Sequence, residues 1–469
     1  MTSFDRVDTP VGAQADRPGA VRSPLGAELS DTLKLATPLA LTQLAQIAMM
    51  TTDLALIGRL GTDAVGAAAL GQTVAFMSFV IGMGLVSAVS PLVAQAFGAR
   101  DPHRVRRSLR VGLWGALFVA VPVTIFQLNG EQVLLLLHQA PQSAQLAGRY
   151  LDGMAWATLP GLWAISIRNF FGSVNRPQPG LWITLVAIPL NGIAGYALIY
   201  GAFGLPRLEL LGAGIATTIV NWAMCIASAI IARWMRPFHK FHVFGHLFRA
   251  DWPLLRELVV VGAPISIAFL LEYGLFGGAA LLMGLIGTVA LTAHQIALNV
   301  AAVLFMVPFG VSMAATVRVG HAVGRRDIES VRRAGLVALA VGASFMAAMT
   351  LVVLLARYDI AWLFLGGSES NAPAYALTSV LLIVGATFFT ADGMQTVAAG
   401  ALRGMSDTRV PMLFAFLSYW LVGFTAQCVL GFAFGLGAVG IWIGLSLGTA
   451  VYAALLILRF LRLAVRAGR

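Results

Sequence analysis

Of the 469 residues, 59% are apolar and 11% charged, and the mean hydropathy is +0.84; a soluble domain carries about 25% charged residues, so a water-soluble globule is excluded. Thirty-one Lys and Arg against twenty acids leave a formal charge of +11. Such a surplus suits nucleic acid or an anionic membrane surface, and where it lies along the chain decides between them.

Residues 1–32 are polar, contain Pro10, Pro18 and Pro24, and lack the basic start, short apolar core and cleavage site of a signal peptide, so they read as a tail. At about 20 residues per crossing, apolar stretches long enough to span a bilayer recur near 33–58, 65–97, 108–128, 150–172, 179–203 and 211–234. After a basic segment, 235–256, six more follow near 257–284, 289–317, 334–356, 374–401, 410–434 and 437–460, with a tail at 461–469. The predicted fold is therefore an all-α integral membrane protein. It has twelve transmembrane helices in two six-helix lobes, 33–234 and 257–460, around a central cavity.

Twelve spans place alternate loops on opposite faces. The face holding both termini collects 27 Lys and Arg, and the other holds Arg59, Arg149, Arg207 and Arg357. This asymmetry puts both termini in the cytoplasm. The positive charge is thus membrane topology, and no nucleic-acid partner is expected. Cys225 and Cys428 sit inside apolar runs and offer neither a disulfide framework nor a CxxC zinc site.

Sliding the chain on itself by 226 positions aligns Pro38 with Pro264, Gly61 with Gly287, Thr62 with Thr288, Gly84 with Gly310 and Gly98 with Gly324. The register continues into Arg100, Asp101, Val105, Arg106 and Arg107, which match Arg326, Asp327, Val331, Arg332 and Arg333. A slightly larger shift puts Gly172 and Pro179 on Gly404 and Pro411. Six helices, an even number, separate the copies. The halves therefore enter the membrane in the same orientation, related by an axis along its normal, an arrangement suited to alternating access by rocking.

Asp53, Glu272 and Asp392 lie well inside apolar runs with no basic residue close in sequence. A charge at a helix centre costs about 2.5 to 3.5 kcal/mol if unpaired. Each acid is either a structural hydrogen bonder or a site for a proton, a metal cation or a cationic substrate. Around Asp392, Gln395 and Thr396 fall three and four residues on, on the same helical face, where their oxygens could hold a small hard cation such as sodium. Gln46 is the repeat counterpart of Glu272 and sits two turns before Asp53 on the same face; Asn191, just after Pro189, could extend a pocket around Asp53. In the eighth span Thr292, Gln295 and Asn299 share a face, with His294 beside them, where a packing hydrogen bond is favoured over a proton relay. Tyr273, Phe388, Phe389, Tyr419 and Trp420 are candidates for cation–π contact, although aromatics in such helices usually just pack.

TTDLALIGRLGTDAVGAAALGQ, SPLVAQAFGARD, AHQIALNV, VPFGVSMAATVRVGHAVGRRD and AGALRGMSDTRVP together resemble the multidrug and toxic compound extrusion (MATE) family, in particular its NorM-like branch, over nearly the whole chain. The resemblance implies export of cationic, amphipathic compounds, driven by inward proton or sodium movement, by a monomer in the lipid bilayer and without a cofactor. It implies that Glu272 and Asp392 are the cation-site carboxylates of the second lobe, that Asp53 is the shared first-lobe aspartate and that Asn191 is a polar position of span five. Gly195 departs from the family, which often places a second Asn or an Asp there.

The expected mechanism is antiport, in which drug and proton or sodium compete for the same buried negative charge. The alternative within transport is a lipid-linked precursor flippase, whose cavity would need Arg or Lys against pyrophosphate; the sequence places no basic residue mid-span. An enzyme is not expected, since HExxH and CxxC are absent.

Overall fold

The computed structural model describes residues 24–243, 245, 251–366 and 371–466, and these are helices and their connections with no strand. The first lobe comprises α1 (Pro24–Gly58), α2 (Thr62–Ser87), α3 (Val89–Gly98), α4 (Pro102–Leu128), α5 (Gly130–Leu136), α6 (Pro141–Met154), α7 (Thr158–Ser173), α8 (Gln178–Tyr200) and α9 (Glu209–Trp234). The second comprises α10 (Trp252–Ile286), α11 (Thr288–Gly324), α12 (Ile328–Leu365), α13 (Ala372–Gly404), α14 (Arg409–Ala415), α15 (Thr425–Cys428) and α16 (Gly437–Arg466). Among the described residues eleven helical stretches are long and apolar enough to cross a membrane.

The predicted fourth span is the broken one: α6 and α7 meet at a 3₁₀ turn, Ala155–Ala157. Pro160 follows directly, and a proline cannot donate the amide that would continue the α-helical ladder. The predicted eleventh span is interrupted differently, with π-helical segments at Phe416–Phe424 and Val429–Ala433 on either side of α15. Such segments are rare and gather at functional sites.

The polar stretch expected to form a tail to residue 32 is helical from Pro24, because Glu28 is clamped by Arg318 of α11 through contacts of 2.9 and 2.7 Å. Residues 1–23 lie outside the described residues. The seventh span likewise begins at Trp252, inside the expected basic segment. Asp251 caps it, accepting from the Leu254 amide, as Asp101 and Asp327 cap α4 and α12.

The repeat organises the packing. Gly61 and Gly287, repeat counterparts, open α2 and α11 with φ of +113° and +147°, values that exclude most side chains. The first half of α1 packs into the core of the second lobe through Leu35, Ala36 and Leu39. Reciprocally, the first half of α10 packs into the first lobe's core through Leu254, Leu258, Val261 and Ile265.

Four glycines set the distance between the lobes, again in reciprocal pairs. A Cβ on Gly84 would meet the Ser266 backbone at 2.4 Å and one on Gly310 would meet Ala40 at 2.5 Å; on Gly98 it would meet the His321 carbonyl at 2.3 Å and on Gly324 the Gln95 carbonyl at 2.1 Å. These approaches run from mid-bundle toward the end carrying the basic loops. At the other end a Cβ on Gly58, Gly61, Gly284 or Gly287 would meet nothing within 4 Å. The lobes are joined at the basic end.

Candidate functional site

Glu272 lies midway along α10, six residues or about 9 Å beyond the Ser266–Gly84 crossing. Asp392 lies on α13, 7% exposed. Nε2 of Gln395 donates to both, 2.9 Å from Glu272 Oε1 and 2.9 Å from Asp392 Oδ1. The hydroxyl of Tyr419 donates to Gln395 Oε1 at 2.6 Å, and Tyr419 belongs to the first π-helical segment. One buried amide thus ties three helices and two carboxylates together.

The expectation that Gln395 offers an oxygen beside Asp392 needs correcting on this geometry, whereas Thr396 keeps its hydroxyl oxygen on the cavity wall. Gln395 turns its N–H face to the carboxylates and commits its oxygen to Tyr419. Thr396 spends its hydroxyl proton on the Asp392 carbonyl at 2.8 Å, leaving lone pairs free, while its own carbonyl accepts from Ser312 of α11. A cavity of about 20 Å³ opens here, lined by Glu272, Gln395, Thr396, Arg403, Tyr419 and Tyr452 among others. That is room for about one water-sized occupant.

Arg403 and Tyr452 are functional candidates that apolar patterning does not single out. By position Arg403 belongs with the loop after span ten, but α13 runs through Gly404 and carries it to the cavity wall. The absence of basic residues at mid-span therefore does not keep them from the interior, and Arg168, near the end of α7, is a second such arginine. With Gln46 oriented so that its oxygen faces Arg168, that oxygen accepts at 3.0 and 3.1 Å and its amide donates to Gln43. Gln46 is thus bound to Arg168 rather than drawn into a pocket with Asp53.

In the first lobe Asn191, 1% exposed, donates its amide to Asp53 Oδ1. Gly195 fits where a Cβ would meet Leu56 of α1 at 2.8 Å, so its departure from the family's polar residue accompanies close α1–α8 packing.

Thr292, Gln295 and Asn299 form an exposed face of α11, with the Asn299 amide donating to the Gln295 carbonyl. No hydrogen bond among the described residues links them to Glu272 or Asp392. His294 points the other way, fully buried, and its Nδ1 accepts from Trp442 Nε1 at 3.1 Å. Phe388 and Phe389 pack against the same Trp442 and do not line the cavity. Tyr273 meets Phe76 edge-on at 4.9 Å across the lobes, and Trp420 lies tilted against Phe424 at 5.4 Å. Of the five aromatics singled out in the sequence, only Tyr419 lines the cavity.

The model of the MatE family matches residues 38–197 and 264–429, one block in each repeat. A "Probable multidrug resistance protein NorM" of Bradyrhizobium diazoefficiens is 58% identical over 466 residues, covering 99% of each chain. Another so named, from Rhodopseudomonas palustris, is 61% identical over 436 residues, 93% of this chain and 92% of that one. Among solved structures, the eukaryotic MATE transporter AtDTX14 superposes with a TM-score of 0.84 at 20% identity, covering 94% of this chain and 98% of that one. An outward-facing multidrug resistance MATE family transporter gives 0.84 at 18% identity, covering 94% and 97%. At those identities the likeness is one of fold.

Proposed function

We infer what the molecule does from one premise: the chain belongs to the MatE family, whose members are transporters and not enzymes. On that premise it is a multidrug efflux antiporter of the bacterial plasma membrane, exporting cationic, amphipathic organic compounds in exchange for inward H⁺ or Na⁺ by alternating access. The observation that carries this reading is the pair Glu272 and Asp392, held by one amide nitrogen inside an otherwise apolar bundle. Two carboxylates sharing one donor, with Arg403 alone to offset them, leave one negative charge to be matched by a further cation. A proton, a sodium ion or a cationic drug each meets that need, so binding one releases another.

The exchange also has an electrical logic. Moving one charge through 100 mV is worth about 2.3 kcal/mol, so one-for-one exchange of monovalent cations cancels that term and leaves the chemical gradient to drive export. Placing both termini and the basic loops in the cytoplasm makes the joined end of the lobes face inward, which supports reading this arrangement as the outward-facing arm of the cycle. Asp53 with Asn191 is the polar site of the first lobe.

The orientation of Gln395 bears on the fuel. A proton loads onto Glu272 or Asp392 without disturbing the amide, whereas a sodium ion between them displaces the N–H face. The test is ethidium efflux from proteoliposomes under an imposed pH gradient and, separately, an imposed sodium gradient. Efflux under at least one gradient is expected; its absence under both overturns the reading. One arginine against the Glu272–Asp392 pair leaves the site net negative, which disfavours the pyrophosphate cargo of a lipid-linked precursor flippase.

A further inference from the structure

Arg403 is the one charged residue of this cavity that cation exchange does not use. It is a permanent cation on the wall of a site built to receive cations. Its guanidinium lies 5.0 Å from the centre of the Phe269 ring, one turn before Glu272 on α10. That places it on the side of Glu272 nearer the basic loops. No carboxylate of the described residues pairs with it at contact distance. Its charge therefore acts on the cavity as a whole rather than being spent in one ion pair.

The first lobe shows what is particular about this. Its fourth span also carries an arginine, Arg168, directed at the repeat counterpart of Glu272, but that counterpart is the neutral Gln46, met directly through two nitrogens. In the second lobe the arginine shares the wall of a cavity of about 20 Å³ with Glu272, and Asp392 is tied to Glu272 through the Gln395 amide. Fully ionised, Glu272, Asp392 and Arg403 sum to one negative charge, not two. In an apolar interior a net charge left over after loading is strongly disfavoured.

We propose that Arg403 fixes the net charge of the Glu272–Asp392 site at one negative and so selects monovalent over divalent organic cations as cargo. This deepens the proposed function and rests on it. A monovalent cation neutralises the site, whereas a dication leaves it positive beside a guanidinium.

Ethidium and propidium share a ring system, but propidium carries a second, quaternary charge, so the ratio of their affinities reads the site's charge directly. Binding is measured by fluorescence polarisation on purified full-length protein. Arg403→Gln is expected to shift the ratio toward propidium by about tenfold or more, while Arg403→Lys stays within about twofold of the parent. The double variant Arg403→Gln with Asp392→Asn restores one negative charge and returns the ratio toward the parent value.

Thr396→Asp adds a negative charge to the same wall with Arg403 in place, and is expected to favour propidium in the same way. It carries the test should Arg403→Gln fail to fold. A ratio unmoved in Arg403→Gln, or in Thr396→Asp, in protein that still binds ethidium overturns the proposal. Parent protein that neither binds nor exports ethidium overturns the proposed function itself, a distinguishable result.

Discussion

Gln95 and His321 occupy the same position in the two repeats, 226 residues apart, and each reaches into the opposite lobe for a backbone carbonyl. Gln95 Nε2 donates to the Gly404 carbonyl and to Ser406 Oγ, both at 2.9 Å, and His321 Nε2 donates to the Ser173 carbonyl at 2.7 Å. The acceptors end the fourth span of each lobe. Between the two bonds, Gly98 and Gly324 let the backbones touch. The joined end of the molecule is thus one latch made twice.

The first prediction concerns this latch. Gly98→Val or Gly324→Val puts a side chain where a single Cβ would already stand 2.3 or 2.1 Å from a backbone oxygen. Neither oxygen moves without separating the lobes. Spin labels across the basic end should report a population shifted to longer distances, and efflux should fall to background. A distance distribution unchanged from the parent would mean that the contact is not what holds the lobes.

Glu272→Gln and Asp392→Asn each retain an oxygen able to accept from Gln395, so the network of Gln395 and Tyr419 survives while the charge is lost. Gradient-driven efflux of ethidium should drop at least about tenfold in each, while the melting temperature stays close to the parent's, since a neutral acceptor in an apolar site is less costly than a charged one. Full activity in both variants removes the site assignment.

Asn191→Ala takes the amide from Asp53 and leaves a carboxylate short of a partner in the first lobe. Loss of a hydrogen bond to a buried charged group costs about 1 to 3 kcal/mol. Thermal unfolding in detergent should show that loss, and Asp53→Asn combined with Asn191→Ala should recover part of it.

At the basic end the Ser330 hydroxyl and amide hold the Asp327 carboxyl below its ordinary value of 3.8, and the Arg107 guanidinium does the same for Asp251. A depressed carboxyl adds stability that is complete above the ordinary value and is lost as pH falls through the lower, folded one. Melting temperature should therefore hold steady down to about pH 4 and decline below it. Asp327→Ala, which removes the cap of α12, should cost about 1 kcal/mol and flatten that decline, measured by melting curves from pH 6 to pH 3.

Much of this architecture is legible in the chain because bilayer physics writes long apolar runs and a duplicated polypeptide writes its own register. Gly61 with Gly287 and Gly98 with Gly324 are visible as a constant offset in the residue order alone. Glu272 and Asp392 stand out because acids in apolar runs are rare, and their common partner Gln395 falls on the predicted face. What the sequence hides is distance. Arg403 is numbered like a loop residue, yet its helix runs one turn further than apolarity suggests and its long side chain reaches the cavity. Glu28 sits in a polar stretch whose helical form depends on Arg318, 290 residues away. Which way Gln395 turns its amide depends on Tyr419, in a π-helical stretch that no apolar periodicity announces.

The reciprocal contacts of Gly84 with Ser266 and Gly310 with Ala40, and of Gly98 with His321 and Gly324 with Gln95, are those of an isologous interface, in which each partner offers the other the same patch. Seen so, the polypeptide is a dimer-like pair of halves within one chain, alike in backbone contacts and different in chemistry, one carrying Gln46 where the other carries Glu272. Different polar chemistry on a symmetric contact means that a substitution at Glu272 changes the second half's charge without touching the glycine contacts that both halves share.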